Sequence, residues 1–298
     1  MDNLRGSVLM ILAMAGFALE DMFIKLLADS LPIGQILWML GAGGAVVFGL
    51  LIKLQRRPLL SGDAFHPAVL WRNLGEIIAA AGYITAIALT PLSSASAILQ
   101  ATSLAVTLGA ALFMGEQVGW RRWSAICIGF LGVLMVIRPG LDGFQPASLF
   151  AVLGVVGLAI RDLATRAAPR SVSSMQLSAY AFIMLIPTGL TMLAFSGGAT
   201  MPARGDVGYM VATLVFSVAG YWAIVAAMRV GEVSFVTPFR YTRLLFALVI
   251  GITVFGERPD WMTYAGAALI IASGLYTILR ERRLARKAAR RAAAETPV

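Results

Sequence analysis

The chain has 298 residues, of which 59% are hydrophobic and only 13% are charged. A soluble domain carries about 25% charged residues, so the composition excludes a water-soluble globular protein and places most of the chain in lipid. The net charge is +9, and basic residues are concentrated near the C-terminus: Arg280, Arg282, Arg283, Arg286, Lys287, Arg290 and Arg291. This run directly follows an apolar segment and lacks base-stacking aromatics. We therefore interpret it as a cytoplasmic tail at anionic lipid, not as a nucleic-acid-binding segment.

Ten segments are long and apolar enough to cross a bilayer, which takes about 20 residues. In chain order they cover residues 6–27, 32–54, 68–89, 92–114, 120–138, 147–167, 175–195, 207–228, 233–255 and 261–279. Short connections with proline, glycine or serine separate them, and none is long enough for a soluble domain. The sequence thus predicts an all-α membrane protein with ten transmembrane helices.

Lysine and arginine are distributed unevenly between alternate connections. With a cytoplasmic N-terminus, the inner connections contain the larger set: Lys53, Arg56, Arg57, Arg121, Arg122, Arg166, Arg170 and Arg229. The outer connections contain only Arg138, Arg204 and Arg258, with Lys25 at the end of the first segment. The positive-inside rule therefore predicts a multi-pass protein of the inner membrane with both termini in the cytoplasm.

The two halves of the chain align without a gap at an offset of 141 residues. This offset places Asp21 on Asp162, Lys25 on Arg166, Gln35 on Gln176, Gly115-Glu116 on Gly256-Glu257, and Trp120 on Trp261. Each half has five segments, an odd number, so the second half enters the membrane the opposite way up. The sequence predicts two inverted five-helix repeats, residues 5–139 and 146–280, and a basic tail, 281–298. Such repeats expose a central site alternately to either side.

Three short stretches are typical of one protein family: residues 112–117 (Leu-Phe-Met-Gly-Glu-Gln), 254–259 (Val-Phe-Gly-Glu-Arg-Pro) and 238–241 (Pro-Phe-Arg-Tyr). With ten helices in two five-helix units, the chain resembles the drug/metabolite transporter superfamily of the EamA type. The resemblance implies a carrier whose central cavity is lined mainly by helices 1, 3, 4, 6, 8 and 9. It also implies a small polar cargo, such as an amino acid, riboflavin, adenosylmethionine or a nucleotide-related metabolite. For Glu116 and Glu257 we expect a structural role rather than gating.

Charged residues within the apolar segments are candidates for function, because burying a charge in lipid costs several kcal/mol. Three pairs are four residues apart, and this spacing places both members on one helix face. They are Asp21–Lys25, Arg72–Glu76 and Asp162–Arg166. Such pairs either neutralise themselves structurally or face a polar cavity. Glu76 in particular is either a structural counter-ion or a proton-coupling site.

Two arginines near the membrane midplane occur in the second half only. Arg240 and Arg243 align with the uncharged Leu99 and Thr102, so the scaffold does not require arginine at these positions. The guanidinium fork matches carboxylate or phosphate, and we predict that both arginines anchor an anionic or zwitterionic substrate. The alternative is internal pairing with Glu76 or Glu20.

Aromatic residues complete the predicted site, where they either stack on a substrate ring or simply pack between helices. The full predicted set is Asp21, Arg72, Glu76, Tyr83, Gln100, Arg161, Asp162, Tyr221, Trp222, Arg240, Tyr241 and Arg243.

The pattern favours a secondary transporter of a small polar metabolite, driven by protons or by exchanged substrate, because no ATP-binding Gly-x-x-x-x-Gly-Lys-Ser/Thr motif occurs. An intramembrane enzyme and a channel are the alternatives. An enzyme is disfavoured because no nucleophile or zinc motif is present. A single cysteine, Cys127, and a single histidine, His66, also argue against a disulfide and a metal site. We expect no cofactor, and only the substrate and membrane lipids as partners.

Overall fold

The structure is a computed structural model that describes residues 2–60, 62–115, 119–141, 144–169, 171–230 and 233–295. The regular secondary structure of these residues is helical, with no strand among them. The helices are α1 (Asp2–Ala28), α2 (Ile33–Leu54), α3 (Pro67–Leu89), α4 (Leu92–Leu99), α5 (Thr102–Phe113), α6 (Trp120–Ile137), α7 (Ser148–Ala167), α8 (Ser174–Phe195), α9 (Arg204–Val230), α10 (Val233–Val236), a 3₁₀ helix (Thr237–Tyr241), α11 (Thr242–Thr253) and α12 (Trp261–Glu295).

Within the described residues, seven helices are long and apolar enough to cross a membrane. They are α1, α2, the joined α4 and α5, α7, α8, α9 and the first part of α12. A shorter apolar stretch, Trp123–Ile137, lies in α6. The other two predicted segments are also helical, but α3 carries Arg72 and Glu76 and the segment 233–255 is broken. The chain is therefore a multi-pass membrane protein, and the count of ten spans stays a prediction.

Two of the predicted segments are interrupted near their middle, which the hydropathy pattern does not show. Segment 92–114 is interrupted at Gln100 and Ala101, between α4 and α5. Segment 233–255 passes through the 3₁₀ helix, where Pro238 has no backbone N–H to donate. At each break a threonine hydroxyl donates to a carbonyl three residues earlier: Thr102 to Leu99 at 2.6 Å and Thr242 to Phe239 at 2.7 Å. These breaks place polar backbone beside the centre of the bundle.

Four helix pairs make the most extensive contacts: α1 with α9, α2 with α8, α3 with α7, and α6 with α12. Glycines allow their backbones to touch. A Cβ atom added at Gly157 of α7 would lie 2.3 Å from the Ala79 nitrogen of α3, and one added at Gly189 of α8 would lie 2.4 Å from the Trp38 nitrogen of α2. Small residues at such crossings are the usual way in which helices associate in lipid, where burial from water contributes nothing.

One end of the bundle is held together by Glu257, which follows α11. Its carboxylate accepts hydrogen bonds from the Leu92 and Ser93 backbone amides and from the Ser93 hydroxyl at 2.6 Å. An anion at these free N–H groups is favourable at the start of α4. The expected structural role of Glu257 is thus supported by its contacts, while Glu116 lies outside the described residues.

Lys25 contributes to the same end of the bundle. Its ammonium donates to the carbonyl oxygens of Ile87 at 3.0 Å and Thr90 at 2.5 Å, at the end of α3. The predicted Asp21–Lys25 ion pair is therefore wrong. Lys25 lies near the C-terminal end of α1, from which its long side chain reaches the free carbonyls of α3, while Asp21 pairs elsewhere.

The close crossing of α3 and α7 gives a test of the packing. In Gly157→Ala the new methyl group clashes with backbone atoms of α3, and these cannot move aside as a flexible side chain could. We expect a loss of about 1–3 kcal/mol, the usual cost of overpacking, and a Tm in detergent several degrees below wild type. Gly208→Ala on α9 is the matched control, since a Cβ atom there meets nothing within 4 Å. Equal Tm values for the two variants would show that the crossing is not close.

Candidate functional site

A cavity of about 480 Å³ lies between α1, α3, α7, α8, α9 and the two broken segments. Its size is within the range of about 300–1,000 Å³ that is typical of small-molecule sites. Its lining reaches Thr165 near the end of α7 and Ser174 at the start of α8. Toward the Glu257 end it stops at the buried apolar side chains of Ile24, Ile84 and Leu185.

The cavity is unusually rich in charge for the interior of a membrane protein. Its described lining contains four arginines, Arg72, Arg161, Arg240 and Arg243, and four carboxylates, Glu20, Asp21, Glu76 and Asp162. The formal charges sum to zero. Since each charge is costly in a low-dielectric environment, the pairing among them determines which groups remain available for a ligand.

The first charge cluster joins α1 to α11 through Asp21 and Arg243. Arg243 Nη2 donates to both carboxylate oxygens at 2.8 Å, and Nε donates to Oδ2 at 3.1 Å. The Tyr83 hydroxyl of α3 donates to the same Oδ2 at 3.1 Å and is 3.2 Å from the Ser96 hydroxyl. The Asp21 side chain is only 2% exposed. The sequence-based alternative of internal pairing thus holds for Arg243, but with Asp21 in place of Glu76 or Glu20.

Arg243 is also held between two rings. Its guanidinium carbon lies 5.3 Å from the Phe17 ring centroid and 5.4 Å from that of Tyr83. These cation–π contacts, together with the fork of hydrogen bonds to Asp21, fix the guanidinium in one orientation.

The second charge cluster lies between α3 and α7. Arg72 Nη2 is 3.3 Å from Glu76 Oε2, which confirms the predicted pair four residues apart. Arg161 lies 3.8 Å from the same Glu76 oxygen and 2.8 Å from Asp162 Oδ1. Asp162 therefore pairs with its neighbour Arg161, and not with Arg166 as the spacing of four predicted. The reason is that Arg161 and Asp162 both line the cavity, whereas Arg166, one turn nearer the end of α7, is not part of its lining.

Arg240 and Glu20 also line the cavity, but the ion pairs found within the described part of the chain involve neither of them. Arg240, at the end of the 3₁₀ helix, is exposed to the cavity and faces Asp162, Arg161 and Arg243. Glu20 is half-buried beside Asp21, Arg243 and Ser217. The sequence predicts Glu20 only as a counter-ion, because the neighbouring positions Glu20 and Asp21 point about 100° apart on a helix, yet both residues line the cavity.

The predicted aromatic residues differ in their placement. The Tyr241 hydroxyl is 2.7 Å from the Ser103 hydroxyl, and the ring packs on the α12 backbone at Gly274. Tyr221 lies edge-on to Phe48 with centroids 5.3 Å apart and still reaches the cavity. Trp222 does not line the cavity: it is 65% exposed on the outside of the bundle. Adjacent helix positions point in different directions, so Tyr221 and Trp222 cannot share one face.

The structure therefore brings together eleven of the twelve predicted site residues around one cavity: Asp21, Arg72, Glu76, Tyr83, Gln100, Arg161, Asp162, Tyr221, Arg240, Tyr241 and Arg243. Their roles in binding stay predictions. Ser96, Ser103 and Ser217 also belong to the site. Sequence patterns missed them because a lone serine in an apolar helix carries no positional information.

The Asp21–Arg243 pair can be tested by its contribution to stability. Asp21→Asn leaves the Arg243 charge without its carboxylate, and breaking a buried pair on one side costs about 3–5 kcal/mol. We expect a large fall in Tm, partly recovered in the double variant Asp21→Asn/Arg243→Gln. Asp29→Asn, at the exposed end of α1, is the control. An Asp21→Asn protein as stable as this control would contradict the pairing.

Comparison with known proteins agrees with these features. Residues 4–138 and 145–279 each match the EamA-like transporter family. The chain is 28% identical over 292 residues to a riboflavin transporter of Rhizobium johnstonii, covering 95% of this chain and 94% of the relative. It is 28% identical over 282 residues to a pseudopaline exporter of Pseudomonas aeruginosa, covering 92% and 96%.

A solved crystal structure is similar in fold, with a TM-score of 0.58 at 17% identity, covering 92% of this chain and 98% of the other. Family matches that span most of the chain, full-length transporter relatives and apolar helices around a charged cavity agree with one another. The chain belongs to the EamA-like transporter family and is a multi-pass membrane transporter of small metabolites, not an enzyme.

Proposed function

We propose that the protein is a secondary active transporter that moves a small anionic or zwitterionic metabolite across the inner membrane by alternating access. The main support for this proposal is the cavity, which contains four arginines and four carboxylates inside a bundle of apolar helices. Charges that are retained in lipid at this cost are expected to serve a polar cargo. The ten-helix count, the two repeats at 5–139 and 146–280, and the tail at 281–298 belong to this proposal.

The pairing of helices supports the inverted repeat. The offset of 141 residues relates α1 to α7 and α3 to α9. It therefore converts the α1–α9 pair into the α7–α3 pair, and both pairs make extensive contacts. The same operation exchanges α2 with α8 and α6 with α12, which pack against each other. A two-fold axis within the membrane plane would produce this set of contacts.

The ends of the cavity support alternating access. Glu257 and Lys25 join the ends of α1, α3, α4 and α11 on one side. On the other side the lining extends to Thr165 and Ser174. With both termini in the cytoplasm, this conformation is closed outward and reaches toward the cytoplasm. A transporter cycle requires the Glu257 contacts to release when the opposite end closes.

Arg240 is the cavity cation best suited to anchor an anionic group. The sequence predicted Arg243 equally as a substrate anchor. Its guanidinium N–H groups are, however, already bound to the Asp21 carboxylate. Glu76 lies between Arg72 and Arg161, which favours the structural counter-ion over the proton-coupling role. Energy from protons or from exchanged substrate remains part of the proposal, as does contact of the basic end of α12 with lipid headgroups.

The first prediction of this proposal concerns Arg240. Arg240→Gln should lower uptake into proteoliposomes at least tenfold at unchanged Tm. Arg240→Lys should retain only part of the wild-type uptake, because an ammonium group cannot form the bidentate contact of a guanidinium. The probe is whichever compound stabilises the purified wild type in a screen of riboflavin, amino acids and nucleotides. Arg204→Gln, at the exposed start of α9, is the matched control.

Wild-type uptake by Arg240→Gln would remove Arg240 from the substrate site. A channel, the alternative class, would show flux that neither saturates nor supports counterflow, whereas a carrier preloaded with unlabelled substrate accumulates labelled substrate transiently.

The second prediction concerns topology. Reporter fusions after residues 57, 122, 170 and 291 should report a cytoplasmic location, and fusions after residues 143 and 204 an external one. An external C-terminus would contradict both the orientation and the inverted repeat, since an even number of spans with a cytoplasmic N-terminus returns the chain to the cytoplasm.

A further inference from the structure

The pairing within the cavity leaves one positive and one negative side chain uncommitted. Six of the eight charged side chains of the described lining form ion pairs: Asp21 with Arg243, Glu76 with Arg72, and Asp162 with Arg161. The remaining two are Arg240 and Glu20. A cavity with this balance is complementary to a ligand that itself carries one charge of each sign.

Arg240 has neighbours but no partner of its own among the described residues. Asp162 faces it, yet Asp162 accepts from both Nε and Nη2 of Arg161 at 2.9 and 2.8 Å. Arg243 lies one turn further along and repels it. A guanidinium has five N–H donors and no means of losing its charge, so an anionic group of the ligand is the natural acceptor here.

Glu20 is the complementary case on α1. The cation beside it is Arg243, whose Nε and Nη2 are bound to Asp21. Asp21 adds a second negative charge beside Glu20, and Ser217 of α9 offers only a neutral hydroxyl. Tyr83 of α3 already donates its hydroxyl to Asp21. Glu20 is thus the carboxylate of the cavity that gains most from a cationic group of the ligand.

We infer that Arg240 and Glu20 make the transporter selective for zwitterions, with Arg240 binding the carboxylate of the substrate and Glu20 its ammonium group. This inference rests on the proposed function and refines its substrate class. An anion without a cationic group leaves Glu20 uncompensated, and a cation without an anionic group leaves Arg240 uncompensated. Either mismatch leaves one charged side chain of the cavity covered by the ligand without an opposite charge, and such an uncompensated charge costs affinity.

The test uses matched ligands that differ only in charge. The zwitterions are phenylalanine, tyrosine and 5-aminopentanoate, which cover short and long separations of the two charges. Their N-acetyl derivatives keep only the carboxylate, and their amides keep only the ammonium group. Binding to the purified full-length chain is measured as the rise of Tm with ligand concentration, which yields a Kd for each ligand.

At least one zwitterion should bind wild type ten times more tightly than both of its single-charge derivatives. Glu20→Gln should abolish its advantage over the N-acetyl derivative while keeping its advantage over the amide. Arg240→Gln should do the reverse, and Arg204→Gln should behave as wild type. This opposite shift separates two specific contacts from general damage to the fold, which would weaken every ligand alike.

Three results would overturn the inference. They are equal affinity of wild type for a zwitterion and its N-acetyl derivative, equal weakening of all ligands by both variants, and binding of none of the nine ligands at 10 mM, about tenfold above a typical upper KM. Failure of the proposed function is recognised separately, in proteoliposomes of the same preparation. It fails only if riboflavin, amino acids and nucleotides all lack saturable counterflow.

Discussion

The contact between Asp21 and Arg243 is the interaction on which the interior of this protein depends. It joins α1, in the first half, to α11, in the second, through three donor–acceptor contacts of 2.8 to 3.1 Å. Tyr83 extends it to α3. Neither charge is tolerable alone away from water, because desolvating a single ion costs several kcal/mol. The pair therefore holds three helices at fixed positions around the cavity, and it withdraws from the substrate the arginine that lies deepest in its segment. With the ion-paired side chains set aside, we propose that one arginine and one glutamate, Arg240 and Glu20, recognise the substrate.

The cost of leaving polar groups unpaired in lipid also explains where the helices are interrupted. Backbone N–H and C=O groups can be left outside a regular helix at membrane depth only where protein or a wet cavity surrounds them. The breaks at Gln100 and around Tyr241 border the cavity, and threonine hydroxyls satisfy carbonyls at both. The four tight helix pairs approach backbone to backbone at glycines, whereas the two broken segments have no continuous helical ladder at the cavity. We regard them as the elements that move during the proposed cycle, with Glu257 holding one end.

Much of this architecture could be predicted from the sequence, because hydropathy and internal similarity are properties of contiguous segments. The same holds for Arg72–Glu76, since a spacing of four on one helix brings side chains together whatever surrounds them. Asp21–Arg243 could not be predicted, because the two residues are 222 positions apart and their contact depends on how α1 meets α11. Spacing alone also assigned Lys25 and Arg166 to the nearest carboxylate, although the long side chain of Lys25 reaches the carbonyls at the end of α3 and Asp162 has a nearer cation in Arg161. Trp222 was misplaced because an aromatic residue facing lipid and one facing a cavity look alike in sequence.

The central claim is that the charged site opens to one face of the membrane at a time. The most direct test measures access to the cavity from each side by thiol labelling. A single cysteine at position 80, made as Ala80→Cys in a Cys127→Ser background, lies on the cavity wall and is labelled with a membrane-impermeant thiol reagent in spheroplasts and in inverted vesicles. Labelling should be fast from the side of the C-terminus. Labelling from the opposite side should rise several-fold when Glu257→Gln weakens the contact with α4, while labelling from the side of the C-terminus should fall. Labelling that is equally fast from both sides, and that does not change in Glu257→Gln, would contradict alternating access and favour an open pore.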